Sequence, residues 1–197
     1  HAQHLSTKKS IELVREAKRK GLRITCEVTP HHFALNEQVL CNFDTNHKMN
    51  PPLRKDEDIL AIKEGLKDGT VDCIATDHAP HAKHEKNVDF HDAPNGILGL
   101  ETAVGLAITK LVYDNYLTLE GLIEKLAINP RKVLGLNLVR IEEGEKANLT
   151  IFDPNENWVV NPKLFKSKSE NSPFANWELI GKVKYTINNN KIYKSVL

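Results

Sequence analysis

Histidine is absent from the last part of this sequence: all nine lie within the first 91 residues. From about residue 138 onward Asn, Lys and β-branched residues take over, which predicts a boundary near Asn137. Cysteine is scarce, with only Cys26, Cys41 and Cys73 among 197 residues and no C-x-x-C spacing. An odd set of this kind suits reduced, buried thiols of a cytosolic protein. No run of roughly 18 apolar residues occurs, which excludes a transmembrane helix. Neither sign of charge dominates, with 27 Lys and Arg against 26 Asp and Glu and a formal charge of +1. These charges are spread along the chain, so nothing suggests a nucleic-acid footprint or a polybasic membrane patch. There is no initial Met and no signal peptide, and the expectation is a piece of a longer protein.

What is present alternates between strand and helix. Residues 9–20 read as a helix, with Ile11, Val14 and Ala17 at helical spacing and Gly21 as its stop. Residues 22–28 form a short β-rich run. A second helix is predicted over 56–67 and a second buried strand over 71–76. Further helices are expected over 100–113 and 118–127, the latter capped by Thr118, and Asn129-Pro130 is expected to open another. Strands alternating with amphipathic helices indicate a parallel α/β architecture. A complete (β/α)8 barrel needs about 250 residues. The two or three strand-helix units here therefore predict the C-terminal part of such a barrel, over residues 1–137. Residues 147–153, 182–188 and 191–196 read as strands of a small β-sandwich-type domain, over 138–197.

Polar chemistry collects where the predicted strands end. His1-Ala2-Gln3-His4 precedes the first helix, Glu27-Val28-Thr29-Pro30-His31-His32 ends the second run, and Thr76-Asp77-His78-Ala79-Pro80-His81 ends the third. In a barrel, side chains from different strand ends converge on one site. His and Asp are zinc-type ligands, and an Asp beside a metal can take a proton from bound water. A lone His at a strand end is more often a hydrogen-bonded structural residue, and His47, His84 and His91 lie in polar loops. Glu27 sits among apolar residues, an expensive place for an unpaired carboxylate. Lys48-Met49-Asn50-Pro51-Pro52-Leu53-Arg54 forms a proline-stiffened loop in which Asn50 and Arg54 could hydrogen-bond an amide or a carboxylate.

These residues resemble the dihydroorotases. Ala75-Thr76-Asp77-His78-Ala79-Pro80-His81, followed by Lys86, is similar to the family's second signature. KMNPPLR resembles its substrate loop, and HLST followed by a helix and CEVTPHH resemble the segment before it. NGILGLET is similar to the glycine-containing loop after the signature, and EEGEKANLTIFD to the return into the small β domain. The resemblance implies a zinc-dependent enzyme of pyrimidine synthesis that reversibly closes N-carbamoyl-L-aspartate to L-dihydroorotate, with two zinc ions per intact site. It further implies His4 as a ligand of one zinc, and Asp77 as a ligand of the other and the general acid/base. Asn50 and His81 match groups holding the substrate's carboxylate, and Gly96 a backbone contact to its ring. Glu27 matches an additional metal ligand of some relatives, while His31 and His32 match without a role.

The family's His-x-His pair, its bridging Lys or Asp, a further ligand His and a substrate-binding Arg have no counterpart in these residues. The expectation is that the chain alone binds zinc poorly and does not catalyse, its partner being the upstream half of its own barrel. Asn148 stands where relatives usually carry Asp, at a position read as structural. The family resemblance also implies a cytoplasmic homo-oligomer, with aspartate transcarbamoylase as a candidate partner. Two rival readings are a hydantoinase or allantoinase, and a non-catalytic scaffold beside a transcarbamoylase. Asn50 before Pro-Pro and His81 after Ala-Pro favour a carboxylate-bearing ring over the first, and the retained His4 and Asp77 argue against the second.

Overall fold

A computed structural model describes residues 1–197. The first helix, α1 (Lys8–Arg19), starts where Thr7 accepts a hydrogen bond from the Ser10 amide, and it buries Ile11 and Val14. It ends at Lys20 and Gly21, whose φ of 74° suits a residue without a Cβ. Parallel pairing joins β1 (Glu27–Val28) to β2 (Cys73–Ile74), and an isolated bridge adds Ala2 beside Cys26. Each strand is shorter than the β-rich run that signals it, because the strand ends turn at once into site-bearing loops. Between them lie α2 (Pro30–Ala34), capped by Thr29, and α3 (Asp56–Lys67), which packs on α1 and α2. A single-turn helix, α4 (Lys83–Lys86), follows β2.

The C-terminal helices depart from the simple pattern. Helix α5 (Ala103–Ala107) continues as a π turn over Ile108–Val112, where the Tyr113 amide reaches back to the Ile108 carbonyl at 3.0 Å. Helix α6 (Leu119–Ile123) likewise passes through a π turn, Glu124–Ile128, into α7 (Asn129–Val133). Asn129 was expected as a cap. Instead it lies within a continuous helical path, with φ −65° and ψ −40°. The wider π turn absorbs Pro130, which has no N–H and would otherwise crowd the carbonyl four residues earlier. The Asn129 side chain is used elsewhere, donating to the Asp72 carbonyl at 3.0 Å.

Residues 149–194 form an antiparallel sheet, β3 (Leu149–Val159), β4 (Glu178–Asn188) and β5 (Lys191–Lys194), in that order. Strand β3 runs past Asp153, where the periodicity ends, because a bulge between Asp153 and Asn157 takes up Pro154. The sheet does not stand apart. Trp158, Val160, Phe165, Phe174 and Leu179 share one buried cluster with Leu35, Met49, Leu53, Ile97, Leu98 and Leu106. Gly181, with φ 91°, lets β4 lie directly against Ile108 and presents its carbonyl to the Trp158 indole N–H at 3.0 Å. The chain is thus a part of an α/β barrel with a small β unit packed on its helices. No helix is long and apolar enough to cross a membrane.

Candidate active site

Parallel pairing brings the three strand ends together. The Ala2 amide donates to the Thr25 carbonyl, the Glu27 amide to Ala2 and the Leu5 amide to Glu27, at 2.8, 3.0 and 2.9 Å. His4 therefore emerges beside Glu27. Its backbone is left-handed, with φ 37°, and its Nδ1 is buried without a hydrogen-bond partner. On the other side the Ala75 amide donates to the Val28 carbonyl at 3.0 Å. Two residues later Asp77 also turns left-handed, with φ 47°. Two non-glycine residues in a sparsely populated conformation, both at strand ends, fit side chains aimed by a function.

Electrostatics shows how closely these groups gather. Burial raises the Glu27 carboxyl above its ordinary range, with His4 opposing and Asp77 reinforcing the shift. Burial pushes His31 well below its usual value, helped by His32 and His4. His32 falls to about 4, again chiefly by burial. His31 and His32 lie in the first turn of α2, so both are buried, with ring centroids 4.4 Å apart. That differs from the extended geometry expected of adjacent residues in a strand, in which only one ring could face the site. His32 is held by the Thr29 hydroxyl at 2.7 Å and the Pro51 carbonyl at 2.9 Å. The Nδ1 of His31 has no partner. His1 was given no role from the sequence, yet its ring bridges the Thr25 hydroxyl at 2.7 Å and the Glu27 carboxylate at 3.0 Å. The signal was its position one strand over from Glu27, legible only once the register is known.

The second group lies on neighbouring loops. His78 pairs with Ile97, and its Nδ1 accepts from the Gly99 amide at 3.1 Å, so it braces the loop. The Ala79 amide donates to the Ile97 carbonyl at 2.8 Å. His81 Nε2 meets the Asn95 carbonyl at 2.8 Å. Gly96 has φ 110°, and a Cβ there would come within 2.5 Å of the Ala79 Cβ and 3.6 Å of His81 Nε2. Its amide donates to the Lys48 carbonyl at 2.9 Å, which ties it to the loop carrying Asn50. Asn50 is exposed, and its peptide bond to Pro51 is cis. Arg54, on the same loop, directs Nε to the Ser6 hydroxyl at 3.2 Å. Lys86 is buried, with Nζ on the carbonyls of Thr45 and Pro94 at 3.0 and 2.8 Å.

His4 and Asp77 thus approach the Glu27 and His31-His32 cluster, while His81, Gly96 and the Asn50 loop form an adjoining rim. No three His, Cys, Asp or Glu side chains converge in the geometry of a metal centre. The buried, unpartnered Nδ1 of His4 has the chemistry of one zinc donor.

Residues 1–192 match the model of the Amidohydrolase family. A dihydroorotase of Acetivibrio thermocellus is 51% identical over 192 residues, covering 98% of this chain and 45% of that protein. One from Clostridioides difficile is 52% identical over 190 residues, covering 96% and 45%. Among solved structures, the L-hydantoinase (dihydropyrimidinase) from Arthrobacter aurescens superposes with a TM-score of 0.90 at 27% identity, over 98% of this chain and 44% of that one. The chain spans less than half the length of the curated relatives it matches.

Proposed function

The chain belongs to the amidohydrolase family, and from that premise we propose that the whole protein containing it is a cytoplasmic dihydroorotase. Its reaction is the reversible, zinc-dependent closure of N-carbamoyl-L-aspartate to L-dihydroorotate. The observation that carries this reading is the pairing of the Asp77 strand end with a rim built from His81, Gly96 and the Asn50 loop. The half-identical relatives named dihydroorotase support it.

His4 would hold one zinc and Asp77 the other, with Glu27 as a further donor and the remaining ligands supplied from outside these residues. Zinc, when bound, lowers the pKa of an attacking water toward neutrality and polarises a carbonyl. Asp77 takes the proton from that water at its carboxylate and hands it to the departing ring nitrogen, and the same transfers run backwards on closure. Asn50 and His81 hold the substrate's carboxylate, and the Gly96 backbone lies against the ring. Their contribution is orientation, which lowers the barrier by fixing the ring carbonyl before the Asp77 carboxylate. The division at residue 137 separates the barrel part from the β unit. The assembly would be a homo-oligomer, with an aspartate transcarbamoylase as candidate partner.

Ring opening of L-dihydroorotate by the full-length protein with zinc, beside an Asp77→Ala variant, hydantoin and allantoin, tests the reading. Turnover of dihydroorotate alone, abolished in the variant, is expected. Turnover of hydantoin or allantoin instead would replace the substrate assignment, and a silent full-length protein would favour a scaffold.

A further inference from the structure

One side chain from the β unit reaches into the proposed substrate rim. Asn171 lies in the connection between β3 and β4, 5% exposed. Its side-chain Oδ1 accepts a hydrogen bond from the His81 amide at 3.1 Å. Its Nδ2 donates to the Ala79 carbonyl at 2.9 Å and to the Gly96 carbonyl at 3.3 Å. Its backbone carbonyl accepts from the Leu98 amide at 3.0 Å. One carboxamide therefore joins the segment carrying His81 to the segment carrying Gly96, at a sequence separation of 90 residues from His81. The packing beneath it is tight, since the Gly96 Cα hydrogens face the Ala79 methyl with no room for a Cβ.

An amide suits this place and few other side chains do. It must offer one acceptor and two donors on a short, planar stem. The groups it serves are backbone groups of a half-buried turn, which are costly to leave unpaired. The segment carrying Asn171 is itself anchored: Asn171 is followed by buried Ser172 and by Phe174, which is 1% exposed in the shared core. The core fixes the Asn171 backbone, and the Asn171 side chain fixes the rim.

We propose that Asn171 is a positioning residue for substrate binding, setting the spacing between His81 and Gly96 and so the shape of the subsite that receives the ring and its carboxylate. This rests on the functional reading above. It predicts an effect on binding more than on chemistry, because the Asn171 side chain bonds Ala79, His81 and Gly96 and makes no hydrogen bond to Asp77 or to His4, which stands on another strand end.

The test uses the full-length zinc enzyme with Asn171→Ala and Asn171→Asp. Each variant is measured for kcat and KM on dihydroorotate, hydantoin and dihydrouracil, for zinc content, and for hydrogen exchange at the His81 amide. For N171A the expectation is a KM for dihydroorotate raised at least 10-fold, kcat within about 3-fold, zinc content unchanged and faster exchange at His81. N171D keeps the acceptor for His81 but sets a carboxylate oxygen against two carbonyls. Its KM is expected to rise at neutral pH and recover part-way at acid pH, where the protonated group donates once more. A purely structural role would not produce that recovery. A KM within 2-fold of wild type in both folded variants overturns the proposal, as does a fall in kcat and zinc content with KM unchanged. The wild-type arm judges the functional reading separately. If wild type opens another ring, the KM for that ring decides the role of Asn171; if it opens none, unchanged exchange at His81 ends the proposal and faster exchange retains Asn171 as the clamp of this rim.

Discussion

The imidazole Nε2 of His32 lies 2.9 Å from the carbonyl oxygen of Pro51, joining the end of one strand to the loop that presents Asn50. The other ring nitrogen faces the Thr29 hydroxyl at 2.7 Å, so both ends of the ring are engaged. Because burial holds His32 near a pKa of about 4, the ring is neutral at pH 7, and donation to a carbonyl puts its one proton on Nε2. Replacing it with Ala keeps the amide bond to the Thr29 oxygen but should leave the buried Thr29 hydroxyl proton and the Pro51 carbonyl without their ring partners, at a cost of about 1–3 kcal/mol of stability. In full-length protein KM should rise more than in a His32→Gln variant, which can still reach the Pro51 carbonyl. Urea melts and initial rates of the two variants check this, and equal KM values would remove His32 from control of the loop.

Lys86 gives a pH dependence of definite sign. Its ammonium is buried on the carbonyls of Thr45 and Pro94, and burial lowers its pKa from 10.5 to about 8, with Lys48 adding to the shift. The folded group thus releases its proton before the unfolded one. Between about pH 8 and 10.5 the unfolded chain binds more protons, so this group's contribution to stability grows as pH rises and is smallest below pH 8. A Lys86→Met variant should lack that increment. Denaturation midpoints of wild type and variant at pH 7, 8, 9 and 10 measure it. A difference between the two that does not change with pH would refute the shift.

The β unit and the helices of the barrel part should unfold together. Leu106 on α5 and Leu179 on β4 are both 0% exposed and belong to one cluster. Truncating either to Ala should cost about 2–5 kcal/mol. Both substitutions should shift the same single transition, read by tryptophan fluorescence and by far-UV circular dichroism in the full-length protein. Separate transitions, with only one moved by Leu179→Ala, would show that the sheet folds as its own unit.

The sequence by itself determined the elements with strong periodicity. Ile11 and Val14 bury as their helical spacing requires, and α3 falls on the predicted residues 56–67. The run of Asp77, His78 and His81 also stood out, because so many polar groups after an apolar strand need a reason. Only the tertiary structure decided what each does. His78 became a brace, the two adjacent histidines entered a helix and both buried, and His1 met Glu27 across the strand register. Asn129 lost its role as a cap because a π turn carries the helix through Pro130. Asn171 carried no local signal, since its partners lie about 75 to 92 residues away in sequence. Local spacing reports the faces of helices and strands, where neighbours are fixed by backbone geometry. Contacts between distant loops depend on how the layers pack, and a hydrogen bond of that kind leaves no periodic trace.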